Sequence, residues 1–313
     1  MSEGEDNEVD AQPCECCAFC GIAEIDDIKL VPCDDCDLVR YCGDACQRNH
    51  KSEHEEACKI RAAELRDELL FKQPEETYLG DCPICTLPLS LDQRKSTFMT
   101  CCSKFICNGC RRANWTREHE RRLQHVCPFC REALPDTMEE CLNQNMKRIA
   151  ANDPCAICYE GVTKYKKGDH NGAVEYLTRA AELGDVKAFY QLSILYRSGE
   201  GVEKDEEKHI HHLKVAAIGG HPVARYNLGN YECRNHNTER AAKHWIIAAT
   251  QGYDDAIKVL MNMFKGGFVS KEDLAAALRA HKAAVDATKS PLRKVAEEYY
   301  KSNVSLTLSQ SRA

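Results

Sequence analysis

The chain has 313 residues, 43% hydrophobic and 29% charged, with a formal net charge of −7. This is ordinary globular usage with length for about two domains, and the negative charge speaks against a dedicated duplex-DNA binder, which needs a basic face. No apolar run approaches the ~20 residues of a membrane span, and the opening MSEGEDNEVD carries five acids and no base, so no secretory signal is read there. The expectation is an intracellular protein, cytoplasmic or nuclear, with neither membrane nor nucleic acid as partner.

Cysteine is the abnormal residue: there are 21, of which 17 precede residue 131. In a reducing compartment disulfides are rare, and clustered cysteines usually hold metal. The composition therefore suggests a zinc-rich N-terminal half joined to a cysteine-poor, Ala-rich half; with the spacings and repeats below, the expected fold is small zinc-stabilised α+β modules followed by an all-α solenoid of helix-turn-helix repeats. In chain order the segments are an acidic disordered tail (1–13), a first cysteine module (14–60), a helical linker (61–80), a second cysteine module (81–133), a linker helix (134–152), the repeats (153–285), and a C-terminal helix and tail (286–313).

The first module reads Cys17-x2-Cys20, Cys33-x2-Cys36, Tyr41-Cys42-x3-Cys46 and His54-x3-Cys58. Eight ligands in four pairs suit two tetrahedral zinc ions, because an x2 turn brings two sulfurs to one ion and an x3 spacing puts ligands one helical turn apart. Cys14-x2-Cys17 also fits a first pair, but it lengthens the gap to the second pair from 12 to 15 residues. Ser52 with Glu55 is a capping-box pattern that predicts a helix start, with Ile60, Leu65, Leu69 and Leu70 as its apolar stripe and Gln73-Pro74 as its end. Pair by pair, including the tyrosine before the fifth ligand, the segment resembles the MYND-type zinc finger. The resemblance implies interleaved sites, with Cys17, Cys20, Cys42 and Cys46 on one ion and Cys33, Cys36, His54 and Cys58 on the other. It also implies binding of proteins, often short proline-containing peptides.

The second module opens with Cys82-Pro-Ile-Cys85, continues through Cys101-Cys102 and Cys107-x2-Cys110, and closes with Cys127-Pro-Phe-Cys130. It resembles a RING-type finger in which Lys104 stands at the family's histidine position. Lysine at neutral pH is not a ligand, so Cys101 becomes the candidate fourth ligand of an all-cysteine variant, with His119, His125 or a defective second site as alternatives. Up to two zinc ions are expected here. The resemblance also assigns Ile84, Pro128 and Arg131 to contact with a ubiquitin-conjugating enzyme. Arg111–Arg122, with five arginines and Trp115, reads as the central helix with a solvated charged face.

From Asp153 the chain repeats itself. DPCAICYEG, DVKAFYQLS, HPVARYNLG and YDDAIKVLM begin at 153, 185, 221 and 253, and Ala-Ala-x-x-Gly recurs at 180–184, 216–220 and 248–252. A fixed period of this size means stacked helix pairs, with alanines at close crossings and Gly184, Gly220 and Gly252 at helix ends that favour a left-handed residue. The segment resembles Sel1-like repeats, relatives of the tetratricopeptide repeat, which are protein-binding scaffolds. Cys155-x2-Cys158 falls in a repeat helix and reads as packing rather than redox chemistry. His209, His211 and His212 read as surface or packing. No phosphate loop, nucleophile elbow or zincin pair appears. Two functions stand: an interaction adaptor whose fingers are structural, and a RING-type E3 ubiquitin ligase whose repeats or first finger recruit substrate.

Overall fold

A computed structural model of the chain describes residues 16–25 and 27–310; the acidic tail and Cys14 lie outside them. The described residues form two compact units, divided between residues 72 and 73.

In the first unit a two-residue antiparallel ladder joins β1 (Val31–Pro32) to β2 (Arg40–Tyr41), and the 28-residue helix α1 (Asp44–Phe71) follows. The buried centre is Cys17, Leu30, Cys33, Cys36 and Tyr41. Three of these five are thiols, far too little apolar area for a stable core without a further source of free energy. Helix α1 begins eight residues before the predicted Ser52 start. The Ser52–Glu55 pattern lies inside it, because Cys46, His54 and Cys58 must all hang on one continuous helix to reach their sets. Asp44 complements the dipole of its first turn. The predicted stripe also fails in part: Ile60 and Leu69 are exposed, while Leu70 and Ala62 are buried. The helix runs unbroken past residue 60, and 72–80 is irregular rather than a helical linker.

In the second unit the hairpin β3 (Ser96–Met99) and β4 (Lys104–Cys107) pairs in register from Ser96 opposite Cys107 to Met99 opposite Lys104. Helix α2 (Asn108–Glu120) follows, and then α3 (Met138–Ala150), whose start carries a full capping box of Thr137 and Glu140.

The solenoid consists of four helix pairs: α4 (Pro154–Lys166) with α5 (His170–Glu182), α6 (Val186–Ser198) with α7 (Glu206–Ile218), α8 (Pro222–Arg234) with α9 (Thr238–Thr250), and α10 (Asp254–Lys265) with α11 (Lys271–Ala287). Helix α12 (Pro291–Gln310) ends the described chain. The aligned repeat starts are the N-caps of the first helices. Asp153, Asp185 and His221 each accept a backbone N–H of the next turn through the side chain. Ala156, Ala188, Ala224 and Ala256 are fully buried. Gly184, Gly220 and Gly252 adopt φ of 85°, 81° and 85°, the left-handed helix end that a Cβ would strain.

The second finger and the solenoid share one body. Phe98 of the hairpin stacks on Tyr159 of α4 at 4.5 Å. Tyr78 N–H donates to Gly220 O at 3.2 Å, and its ring stacks at 4.3 Å on His221, whose other face meets Tyr190 at 4.2 Å. A cavity of about 1450 Å³ lies among the 73–95 segment, the end of α9 and the α11–α12 corner.

Candidate metal centres

Four cysteine turns share one backbone form. In each, the residue four after the first cysteine returns its N–H to that cysteine's carbonyl: Gly21 to Cys17 at 2.9 Å, Asp37 to Cys33 at 3.1 Å, Thr86 to Cys82 at 2.8 Å and Arg131 to Cys127 at 3.0 Å. All four of these residues have positive φ, from 52° to 73°. This knuckle aims both sulfurs of a C-x2-C pair to one side. The hairpin turn at 100–103 closes in the same way, Ser103 N–H reaching Met99 O at 2.8 Å with φ 55°, and so presents the adjacent Cys101 and Cys102.

The knuckles converge in four sets: Cys17, Cys20, Cys42 and Cys46; Cys33, Cys36, His54 and Cys58; Cys82, Cys85, Cys107 and Cys110; and Cys101, Cys102, Cys127 and Cys130. Within each set the donor atoms lie within 4.8 Å of one another. A tetrahedral ion with ~2.3 Å bonds spaces its sulfurs about 3.8 Å apart. The separations found are 3.6 Å for Cys20–Cys42, 3.5 Å for Cys42–Cys46, 3.8 Å for Cys33–Cys58, 3.9 Å for Cys85–Cys107, 3.9 Å for Cys102–Cys127 and 3.4 Å for Cys130–Cys101. These are close to the edges of such a tetrahedron and far from the ~2.05 Å of a disulfide. His54 brings Nε2 to 3.1 Å from Cys36 Sγ.

The protons of three of the sets show why a cation is needed. Cys82 is drawn down to about 4, first by its hydrogen bond with Cys107, while burial pushes its neighbour Cys110 up to about 12. In the first finger the bond to Cys42 lifts Cys46 to about 12, and burial lifts Cys58 to about 12. Burial opposes ionisation of Cys17, yet backbone N–H groups of Cys20, Cys42 and Phe19 hold it down to about 6. Several thiolates a few ångströms apart cannot coexist without a positive charge among them, which a divalent ion supplies. Burial, and then the charge of His50, lower the pKa of His54 and keep it the neutral imidazole a metal requires.

His119 and His125 are employed elsewhere. His119 stacks on Trp115 at 5.1 Å, and His125 Nδ1 lies 3.2 Å from the buried Glu118 carboxylate. Ile84 and Arg131 are exposed and Pro128 is half-buried. The arginines of α2 are not all solvated, as the sequence suggests. Arg112 lies 3.6 Å over the Tyr299 ring and Arg111 donates to Tyr300 Oη at 3.3 Å, both on α12. Nothing local in the sequence signals that packing. Cys158 is buried, in keeping with its packing role, whereas Cys155, read with it as packing, is exposed; His209 is buried with Nδ1 2.7 Å from Ser193 O.

The MYND finger family model matches residues 14–58, and the Sel1 repeat model matches residues 155–185, 186–221 and 222–253. No curated protein matches the chain. Among solved structures it is similar to a Sel1 repeat protein from Oxalobacter formigenes (26% identity, TM-score 0.43, covering 54% of this chain and 50% of that one). It is also similar to a protective antigen of uropathogenic Escherichia coli displaying an SLR fold (19%, TM-score 0.38, 61% and 41%), and to an immunity protein from Pseudomonas aeruginosa (25%, TM-score 0.34, 49% and 60%). The chain thus spans about half the length of the structures it matches. The family matches and the convergent donor sets together make this chain a zinc-binding protein that carries a MYND finger and three Sel1 repeats.

Proposed function

We propose that the protein is an adaptor whose zinc ions are structural and whose fingers and helical repeats bind other proteins. The observation that carries this is the closure of all four donor sets: each offers four protein ligands, which leaves a tetrahedral ion no open position for water or substrate. Two ions belong to the first finger, in the interleaved sets named above. Two belong to the second, one on Cys82, Cys85, Cys107 and Cys110, the other on Cys101, Cys102, Cys127 and Cys130. Elemental analysis of protein purified without chelator should return four zinc ions per chain. Two or fewer would remove the second finger from this account.

One observation favours the ligase reading. Ile84 is apolar and 41% exposed, within the first knuckle of the second finger, where the RING resemblance places an enzyme contact. Ubiquitin transfer with a panel of conjugating enzymes separates the two readings. Chain formation lost in Ile84→Ala with zinc retained would establish the ligase. An inactive wild type would leave the adaptor.

A further inference from the structure

Arg293, the third residue of α12, inserts into the first knuckle of the second finger. Its Nη1 donates to Pro88 O at 2.6 Å and Thr288 O at 2.7 Å; its Nη2 donates to Leu87 O at 3.0 Å and to Cys85 Sγ at 3.4 Å. The helix is held to the finger between residues 293 and 300. A Cβ on Gly109 of α2 would come 2.8 Å from Arg293 N, Arg111 and Arg112 engage Tyr300 and Tyr299, and Lys95 pairs with Glu297 at 3.7 Å.

We propose that Arg293 is the outer-sphere partner of the metal set Cys82, Cys85, Cys107 and Cys110, and that α12 is the element that keeps this set loaded. The inference rests on the zinc reading of that set. Four thiolates around a divalent ion leave a net charge of −2. A guanidinium hydrogen-bonded to one sulfur offsets part of that charge and makes the thiolate less basic, so proton-assisted detachment of Cys85 becomes slower. The same guanidinium fixes the Leu87 and Pro88 carbonyls, two and three residues past Cys85, and so holds the exit of the knuckle in its ligating shape. Zinc retention in the finger thereby depends on a residue 208 positions further along the chain.

The test is zinc release from the full-length protein to a chromogenic chelator, with the phase that disappears in Cys85→Ser marking this set. In Arg293→Gln that single equivalent should leave about ten-fold faster or more, in the range of outer-shell substitutions at metal sites. The other equivalents and the helical circular dichroism should not change. Arg293→Lys, which keeps the charge but not the fork, should fall between. Gly109→Ala, which keeps the arginine but pushes the α12 backbone at Arg293 away from the finger, should accelerate the same phase. Release from Arg293→Gln at the wild-type rate overturns the proposal, as does acceleration of all equivalents together with loss of helix. A Cys85→Ser variant that loses no zinc at all overturns both the proposal and the metal reading beneath it.

Discussion

His221 shows how much one side chain can carry. It caps α8 through Nδ1, which accepts Ala224 N–H at 3.2 Å, and it is sandwiched between Tyr78 and Tyr190. Burial, with Lys187 nearby, lowers its pKa from 6.5 to about 3. The folded state therefore holds it neutral, while the unfolded chain binds a proton below about 6.5. Stability contributed by this group is complete above that pH and falls as the solution is acidified toward 3, by up to ~1.4 kcal/mol per pH unit. His221→Asn keeps a capping acceptor and removes the titration. The stability gap between wild type and variant should shrink by about 2 kcal/mol between pH 7 and pH 5, read by chemical denaturation at both values. An equal gap at the two pH values would exclude the buried-histidine account. Acid loss of zinc affects both proteins alike and cancels in the difference.

At the scale of elements, the first three helix pairs carry a small residue at the crossing. Gly161, Ser193 and Gly229 occupy the eighth position of α4, α6 and α8. A Cβ on Gly229 would stand 2.5 Å from Trp245 Nε1 and 2.7 Å from its ring. Trp245 is buried, so its rigid indole cannot step aside and α8 and α9 must part. Alanine helps the helix by ~1 kcal/mol, but overpacking costs about 1–3 kcal/mol. Gly229→Ala should therefore destabilise the solenoid by roughly 1 kcal/mol, and Gly229→Val, which adds bulk at the same crossing, by more. Thermal denaturation followed at 222 nm checks the order; a Gly229→Val protein as stable as wild type would refute the crossing assignment. The knuckles are elements of a second kind, with conformations set by local hydrogen bonds and a left-handed fifth residue. Their pairing into sets is not local.

At the scale of the molecule, the two units have different sources of stability. The first has Leu30 and Tyr41 as the non-cysteine members of its buried cluster and depends on metal. The repeats bury continuous clusters of alanine, leucine and isoleucine and depend on stacking. Cys58→Ala opens one donor set of the first unit. It should unfold residues before 72 while the helical signal of the solenoid persists and the chain loses one or two zinc ions. Limited proteolysis with mass spectrometry reads the difference: cleavage should concentrate before residue 72. If the repeat helices melted together with the finger, the two-unit division would fail.

Spacing along the chain was enough to identify the five C-x2-C pairs of the fingers, the x3 pairs Cys42–Cys46 and His54–Cys58, and the period of the solenoid. Each of these is a relation between residues a few positions apart, imposed by one turn of backbone or one helix repeat. The burial of Ala156, Ala188, Ala224 and Ala256, and the left-handed Gly184, Gly220 and Gly252, were legible for the same reason. The start of α1 was not, since a local capping pattern at Ser52 yields to the need for one helix to present Cys46, His54 and Cys58. The ligand missing beside Cys102, Cys127 and Cys130 stayed open in sequence among Cys101, His119 and His125, and it is the hairpin turn that brings the Cys101 and Cys102 sulfurs together with those of Cys127 and Cys130. The hold of α12 on the second finger, through Arg293, Tyr299 and Tyr300, was invisible in sequence. Contacts between residues some two hundred positions apart have no periodicity, and only the packed chain brings them together.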